Sequence, residues 1–318
     1  MTGVPGPWRA GAILVRRHGL PVAVGLAGLL LVSGCTTALS SEWTQCMVPG
    51  QATAELRIES CTRLIESGTM TPSDLGDAYF SRGVGYRQQG DFDRAIADYT
   101  VAIRLAPNAR VLVNRGAAYG YKGDFERAIA DYTAAIALDP RNANAYYNRG
   151  NSYEHEGDHD RAIADLTQAI ALNPRDAQAF YNRGVAFGNK GDLDSAIADY
   201  TQAIAIAPDY AMALENRGAL YGKRGEADRA IADLTLAIAI APGDAIAFYN
   251  RGKTYLDKGD DDRAIADLTQ ALTLKPDDPD ALYDRSLAYA HKGDQQRAKA
   301  DLDRYVTITV GRMLDSKG

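Results

Sequence analysis

The sequence has no cysteine after Cys61; its three, Cys35, Cys46 and Cys61, all fall in the first fifth of 318 residues. Most of the chain therefore offers no thiol nucleophile. Blocks of basic residues are missing too, and the formal net charge is −6. That balance argues against nucleic acid, whose affinity comes largely from neutralising phosphates. No GxxxxGKS phosphate cradle and no GxSxG nucleophile elbow occurs. Acidic residues are absent from the first 34 positions, which carry Arg9, Arg16 and Arg17. What is present, 46% hydrophobic and 24% charged residues, is ordinary for a folded protein and wrong for a disordered one.

The arginines precede an apolar run of thirteen residues, Leu20–Val32. It is short for a bilayer, which takes about 20 residues, but suits the core of a secretory signal. Ser33 and Gly34 then lead into Cys35. The string VSGC resembles the lipobox of bacterial lipoproteins. The resemblance implies a signal peptide over residues 1–34, diacylglycerol on the Cys35 thiol and acylation of the new amine. Two or three acyl chains anchor stably where one is marginal. Thr36, in place of an aspartate, implies an outer-membrane lipoprotein facing the periplasm. Removing three arginines and no acids leaves 32 basic and 41 acidic residues, a charge of −9. Export also permits disulfides, so Cys46 and Cys61, either side of the Pro49-Gly50 turn, are expected to pair; the alternative is two unpaired buried thiols.

A period of 34 organises the rest. Arg-Gly recurs at Arg82, Arg115, Arg149, Arg183, Arg217 and Arg251, then as Arg285-Ser286, with spacings of 33 and then 34. Each unit reads as two helices: an apolar stripe at i, i+3, i+4 spacing, a Gly-acid break, a second stripe, and in six units a closing proline. In the third unit the marks fall on Tyr146, Gly150, Tyr153, Ala162, Leu166, Ala169 and Pro174. These residues and spacings closely resemble the tetratricopeptide repeat. The resemblance implies an all-α solenoid, antiparallel helix pairs stacked into a right-handed superhelix with a concave groove. Seven repeats are expected over residues 76–312, after a linker and degenerate cap over 35–75 and before a tail over 313–318. Within the cap, residues 38–68 half-match a repeat, with Cys61 in the place of Tyr99. In the last unit Lys299 stands where six others carry Ile, which expects that face to meet water.

Two columns depart from the commonest pattern. Position 7 is arginine at 82, 115, 149, 183, 217, 251 and 285; position 23 is Asp98, Asp131, Asp165, Asp199, Asp233, Asp267 and Asp301. Unpaired buried charge is costly, so the columns are expected to form ion pairs between the first and second helices of the same or adjacent units, which set register and add little net stability. The alternative is an arginine comb for an anionic ligand. Position 6 is Asn114, Asn148, Asn182, Asn216 and Asn250; position 5 is aromatic at Phe80, Tyr147, Tyr181, Tyr249 and Tyr283. In the family these positions face the groove, where amides hold an extended backbone and aromatics anchor side chains. No position 5 is lysine, which speaks against the carboxylate clamp used on chaperone tails.

The expectation is therefore a non-enzymatic, cofactor-free adaptor, anchored by lipid, whose groove binds proteins or peptides of the cell envelope. One alternative is a passive envelope component that self-associates. Another is a metal-dependent enzyme built on His155 and His159, which sit among Glu154, Glu156, Asp158 and Asp160. Against it, HEGDH has Gly157 where a metalloprotease helix must continue, so the two histidines would not share a helical face.

Overall fold

The computed structural model describes residues 41–48 and 50–315. The leader over residues 1–34 and the lipidation position Cys35 lie outside the described residues. Among the described residues every regular element is a helix. They fall into two compact units, divided after Pro174.

In the first unit, α1 (residues 41–47) and α2 (Ala54–Glu66) precede three helix pairs. These are α3 (Pro72–Gln88) with α4 (Phe92–Leu105), α5 (Ala109–Tyr121) with α6 (Phe125–Leu138), and α7 (Ala143–His155) with α8 (His159–Leu172). The second unit holds four pairs: α9 (Ala177–Lys190) with α10 (Leu193–Ile206), α11 (Ala211–Lys223) with α12 (Ala227–Ile240), α13 (Ala245–Asp257) with α14 (Asp261–Leu274), and α15 (Pro279–His291) with α16 (Gln295–Asp315).

The Gly-acid pair makes each turn. Gly157 adopts φ 77°, a left-handed conformation open to a residue without Cβ. Asp158 then caps α8 by accepting from the Arg161 amide. Glycine at position 8 serves a different end, close approach. A Cβ on Gly116 would lie 2.7 Å from Tyr132 Cε1, and one on Gly150 would lie 2.9 Å from Leu166 Cγ. Ala128, Tyr132 and Ala135 of α6 fill the contact in the α5–α6 pair.

A disulfide joins Cys46 of α1 to Cys61 of α2, with Cα atoms 4.9 Å apart. Both cysteines are buried with Leu64 and Ala78, so the staple sits inside the small core that joins the cap to α3.

Two boundaries differ from the repeat phase. The first pair opens at Pro72 rather than 76, because Thr71 accepts from the Asp74 amide and proline suits the first helical turn. The last helix runs to Asp315, past 312, because Val310 stands where six units place the proline that stops a helix. Lys299 on α16 is exposed, but Leu302, Val306 and Val310 on the same helix are exposed as well. No helix among the described residues is long and apolar enough to cross a membrane.

Candidate peptide-binding surface

The arginine and aspartate columns meet inside each helix pair. Arg82 donates Nε to Asp98 Oδ2 at 2.8 Å and Nη2 to Oδ1 at 2.9 Å. The same fork joins Arg115 to Asp131 and Arg149 to Asp165 in the first unit. In the second it joins Arg183 to Asp199, Arg217 to Asp233, Arg251 to Asp267 and Arg285 to Asp301. All seven aspartates are buried. The forks turn the guanidinium groups inward, away from any anionic ligand.

The remaining nitrogen reaches back one repeat. Nη1 donates to Thr62 from Arg82, to Thr100 from Arg115 and to Thr133 from Arg149. In the second unit Arg217, Arg251 and Arg285 donate to Thr201, Thr235 and Thr269, each at 3.0 Å. Each of these arginines thus ties its own two helices to the preceding pair, a register device saturated by charge-assisted bonds. The rings at positions 4 and 11 flank it: Arg149 Cζ lies 5.8 Å from the Tyr146 ring centroid and 5.9 Å from that of Tyr153. The threonine column was visible in the sequence, but nothing local connects it to an arginine 15 or 16 residues further on.

The asparagine and aromatic columns need correction. Asn114 is 1% exposed and Asn148 0%, and Phe80 and Tyr147 are buried with them. The Asn114 amide donates inside its own helix to the Arg110 carbonyl at 2.8 Å. Phe80 packs on Tyr99 with Arg110 over its other side. These four residues belong to the packing, where their polar atoms and rings are already engaged, and not to a ligand surface. In the second unit the same columns are more open: Tyr181, Asn182, Asn216, Tyr249 and Asn250 are half-buried and Tyr283 is 43% exposed. Asn216 donates to the Tyr181 hydroxyl at 3.2 Å.

Positions 2, 5 and 6 of the second unit also carry apolar and acidic side chains, which the repeating columns did not point to. Met212 and Ile246, both at position 2, are 49% and 56% exposed. Glu215 replaces the aromatic at position 5; burial, with a hydrogen bond to Asp244 and its charge, pushes its carboxyl up to about 8. Asp284 replaces the asparagine at position 6, and burial raises its carboxyl above the ordinary range. Both replacements break a column, and that break was the signal available.

His155 ends α7 and His159 begins α8, with Gly157 between them. The His155 ring stacks on Phe125 with centroids 4.6 Å apart, and His159 Nδ1 lies 3.0 Å from Glu154 Oε2. The two imidazoles have separate partners, and no group of three or more His, Cys, Asp or Glu among the described residues is placed to hold a metal.

Models of the tetratricopeptide repeat match residues 76–109, 113–177, 156–211, 181–245 and 252–312. No curated protein matches the sequence. Among solved structures, YrrB, described as a TPR protein with an unusual peptide-binding site, is 27% identical at a TM-score of 0.52, over 58% of this chain and 95% of its own. The pilF protein of Pseudomonas aeruginosa aligns at a TM-score of 0.60 and 20% identity, over 66% of this chain and 96% of its own. MamA is 32% identical at a TM-score of 0.49, over 51% of this chain and 94% of its own.

Proposed function

From the premise that the chain belongs to the tetratricopeptide repeat family, whose fold is typically a non-catalytic protein-binding scaffold, we propose that it is a lipid-anchored adaptor of the cell envelope. Its first helices bind segments of partner proteins. The observation that carries the reading is the exposure of Met212, Ile246 and Tyr283 at positions 2, 2 and 5 of first helices in the second unit. Contiguous exposed apolar surface marks interaction sites, and these three side chains occupy positions the family turns to its groove. The peptide-binding site of YrrB supports the same use of a similar fold.

The anchoring half of the proposal rests on the VSGC string at Cys35. Labelling cells with an alkyne fatty acid should tag the wild type, and Cys35→Ser should lose the tag and leave the membrane fraction. For the binding half, a crosslinking pull-down compares wild type with Met212→Ala/Ile246→Ala/Tyr283→Ala. Loss of the captured partners is expected, and an unchanged set overturns the groove reading. Exposed Leu302, Val306 and Val310 on α16 favour a second reading, self-association through the last helix; light scattering of the soluble form separates the two.

A further inference from the structure

Position 6 is an asparagine in five successive repeats and an aspartate in the last, Asp284. The exchange removes two donors and leaves an acceptor in their place. Asp284 is 7% exposed, and its Oδ2 has no hydrogen-bond partner among the described residues. A buried carboxylate oxygen without a donor is costly and calls for a cation or a proton.

Its surroundings add negative charge, which draws a cation as well as a proton. The charges of Asp257 on α13 and Asp280 on α15 bear on Asp284, and the Tyr249 hydroxyl donates to its carboxyl, which leaves Oδ2 as the oxygen without a partner. The single ammonium nearby, Lys253, lies 3.7 Å from Asp257, its own partner four residues on. Three carboxyl groups against one lysine leave excess negative charge around a buried acceptor. Tyr249, Lys253, Asp257, Asp280, Tyr283 and Asp284 all occupy repeat positions 2, 5, 6, 9 or 13, those the family turns to its groove. The rim is open, with Lys253, Asp257, Asp280 and Tyr283 exposed.

We propose that this cluster receives the guanidinium of an arginine from a bound protein segment, with Asp284 as the buried acceptor and Tyr249 and Tyr283 as flanking rings. The choice of arginine over lysine follows from shape: a planar fork meets a carboxylate with two bonds and packs against aromatic faces. The chain builds that arrangement within itself, as where Arg251 forks onto Asp267 with the Phe248 ring 5.8 Å away. The proposal rests on the groove reading above and specifies one side chain of its ligand.

The test uses the full chain in detergent and two fluorescein-labelled peptides, Ac-GAVRAVGAG and its twin with citrulline for arginine, read by anisotropy. Citrulline keeps the shape and removes the charge. Wild type should bind the arginine peptide about tenfold more tightly than its twin, the scale of one charge-assisted bond. Asp284→Asn should abolish that gap while binding the citrulline peptide as wild type does. Asparagine is the residue of five sister repeats at this position, so the variant is expected to fold, and an unchanged thermal transition confirms it. Equal binding of the two peptides by wild type, no binding of either, or a gap that survives Asp284→Asn overturns the proposal. The groove reading stands or falls separately, on whether Met212→Ala/Ile246→Ala/Tyr283→Ala loses its crosslinked partners.

Discussion

Phe80 and Tyr249 hold the same position of their repeats, one in each compact unit, and meet different fates. Phe80 is buried against Tyr99, and the Arg110 guanidinium covers it 4.5 Å from the ring centroid. Tyr249 is half-buried beside Asp284. Arg110, at position 2 of the next repeat, lies over Phe80, whereas the residue at that place after Tyr249 is the shorter Asp280. Elsewhere in the second unit Met212 and Ile246 at position 2 are themselves exposed. A column of like residues therefore fixes a place in the repeat without fixing whether that place meets water.

The ladder should be indifferent to this contrast, and it offers the largest effect. Arg115→Met in the first unit and Arg251→Met in the second each leave a buried aspartate uncompensated, at a cost of about 3–5 kcal/mol. Chemical denaturation followed in both variants should show similar losses; Arg115→Met/Asp131→Leu should recover most of the first. A loss in only one unit would mean that the ladder differs between them despite identical forks.

Next in size is the staple, which belongs to the first unit alone. It closes a sequence separation of 15 residues, so reduction should remove about 3 kcal/mol. Hydrogen exchange should locate that loss in α1 to α3 and leave the second unit's protection as it was.

The asparagine column should divide along the same line. Asn114→Ala should cost about 1–3 kcal/mol, because it deletes a buried bond and leaves a gap. Half-buried Asn250→Ala should cost less than about 1 kcal/mol, within the range of a typical point change. Thermal unfolding of the pair reads the difference, and equal costs would erase the distinction drawn between the units.

The last effect is a pH dependence confined to the second unit. Glu215 holds its proton to about 8 when folded, against an ordinary value of 4.5. Between those values the folded chain carries a proton that the unfolded chain has released, so stability falls as pH rises through the window. Glu215→Gln should flatten that part of the stability–pH profile; an unchanged slope would place its origin elsewhere.

Helix pairs, their turns and the Arg and Asp columns were legible because their signals are local or strictly periodic. A capping acid after glycine, a stripe at i, i+3, i+4 and a proline stop all act within a dozen residues. That arginine would pair with aspartate followed from two columns of opposite sign that had to be buried somewhere; that Arg149 takes Asp165 of its own pair, and not an aspartate of a neighbour, came from the structure. Asn114 and Asn148 misled for the opposite reason: nothing within their own helices distinguishes them from Asn216 or Asn250.

By itself the sequence determined the all-helical repeat, the Gly-acid turns and the pairing of the two charged columns, since these depend on caps, spacing and the cost of lone charge. Only the tertiary structure decided which of these side chains stay open, as where Arg110, one repeat on, covers Phe80. It also decided that the third donor of most ladder arginines closes on the preceding repeat's threonine, and that Asp284 keeps a buried oxygen without a donor. Such contacts arise when separate helix pairs stack, and no single pair encodes them.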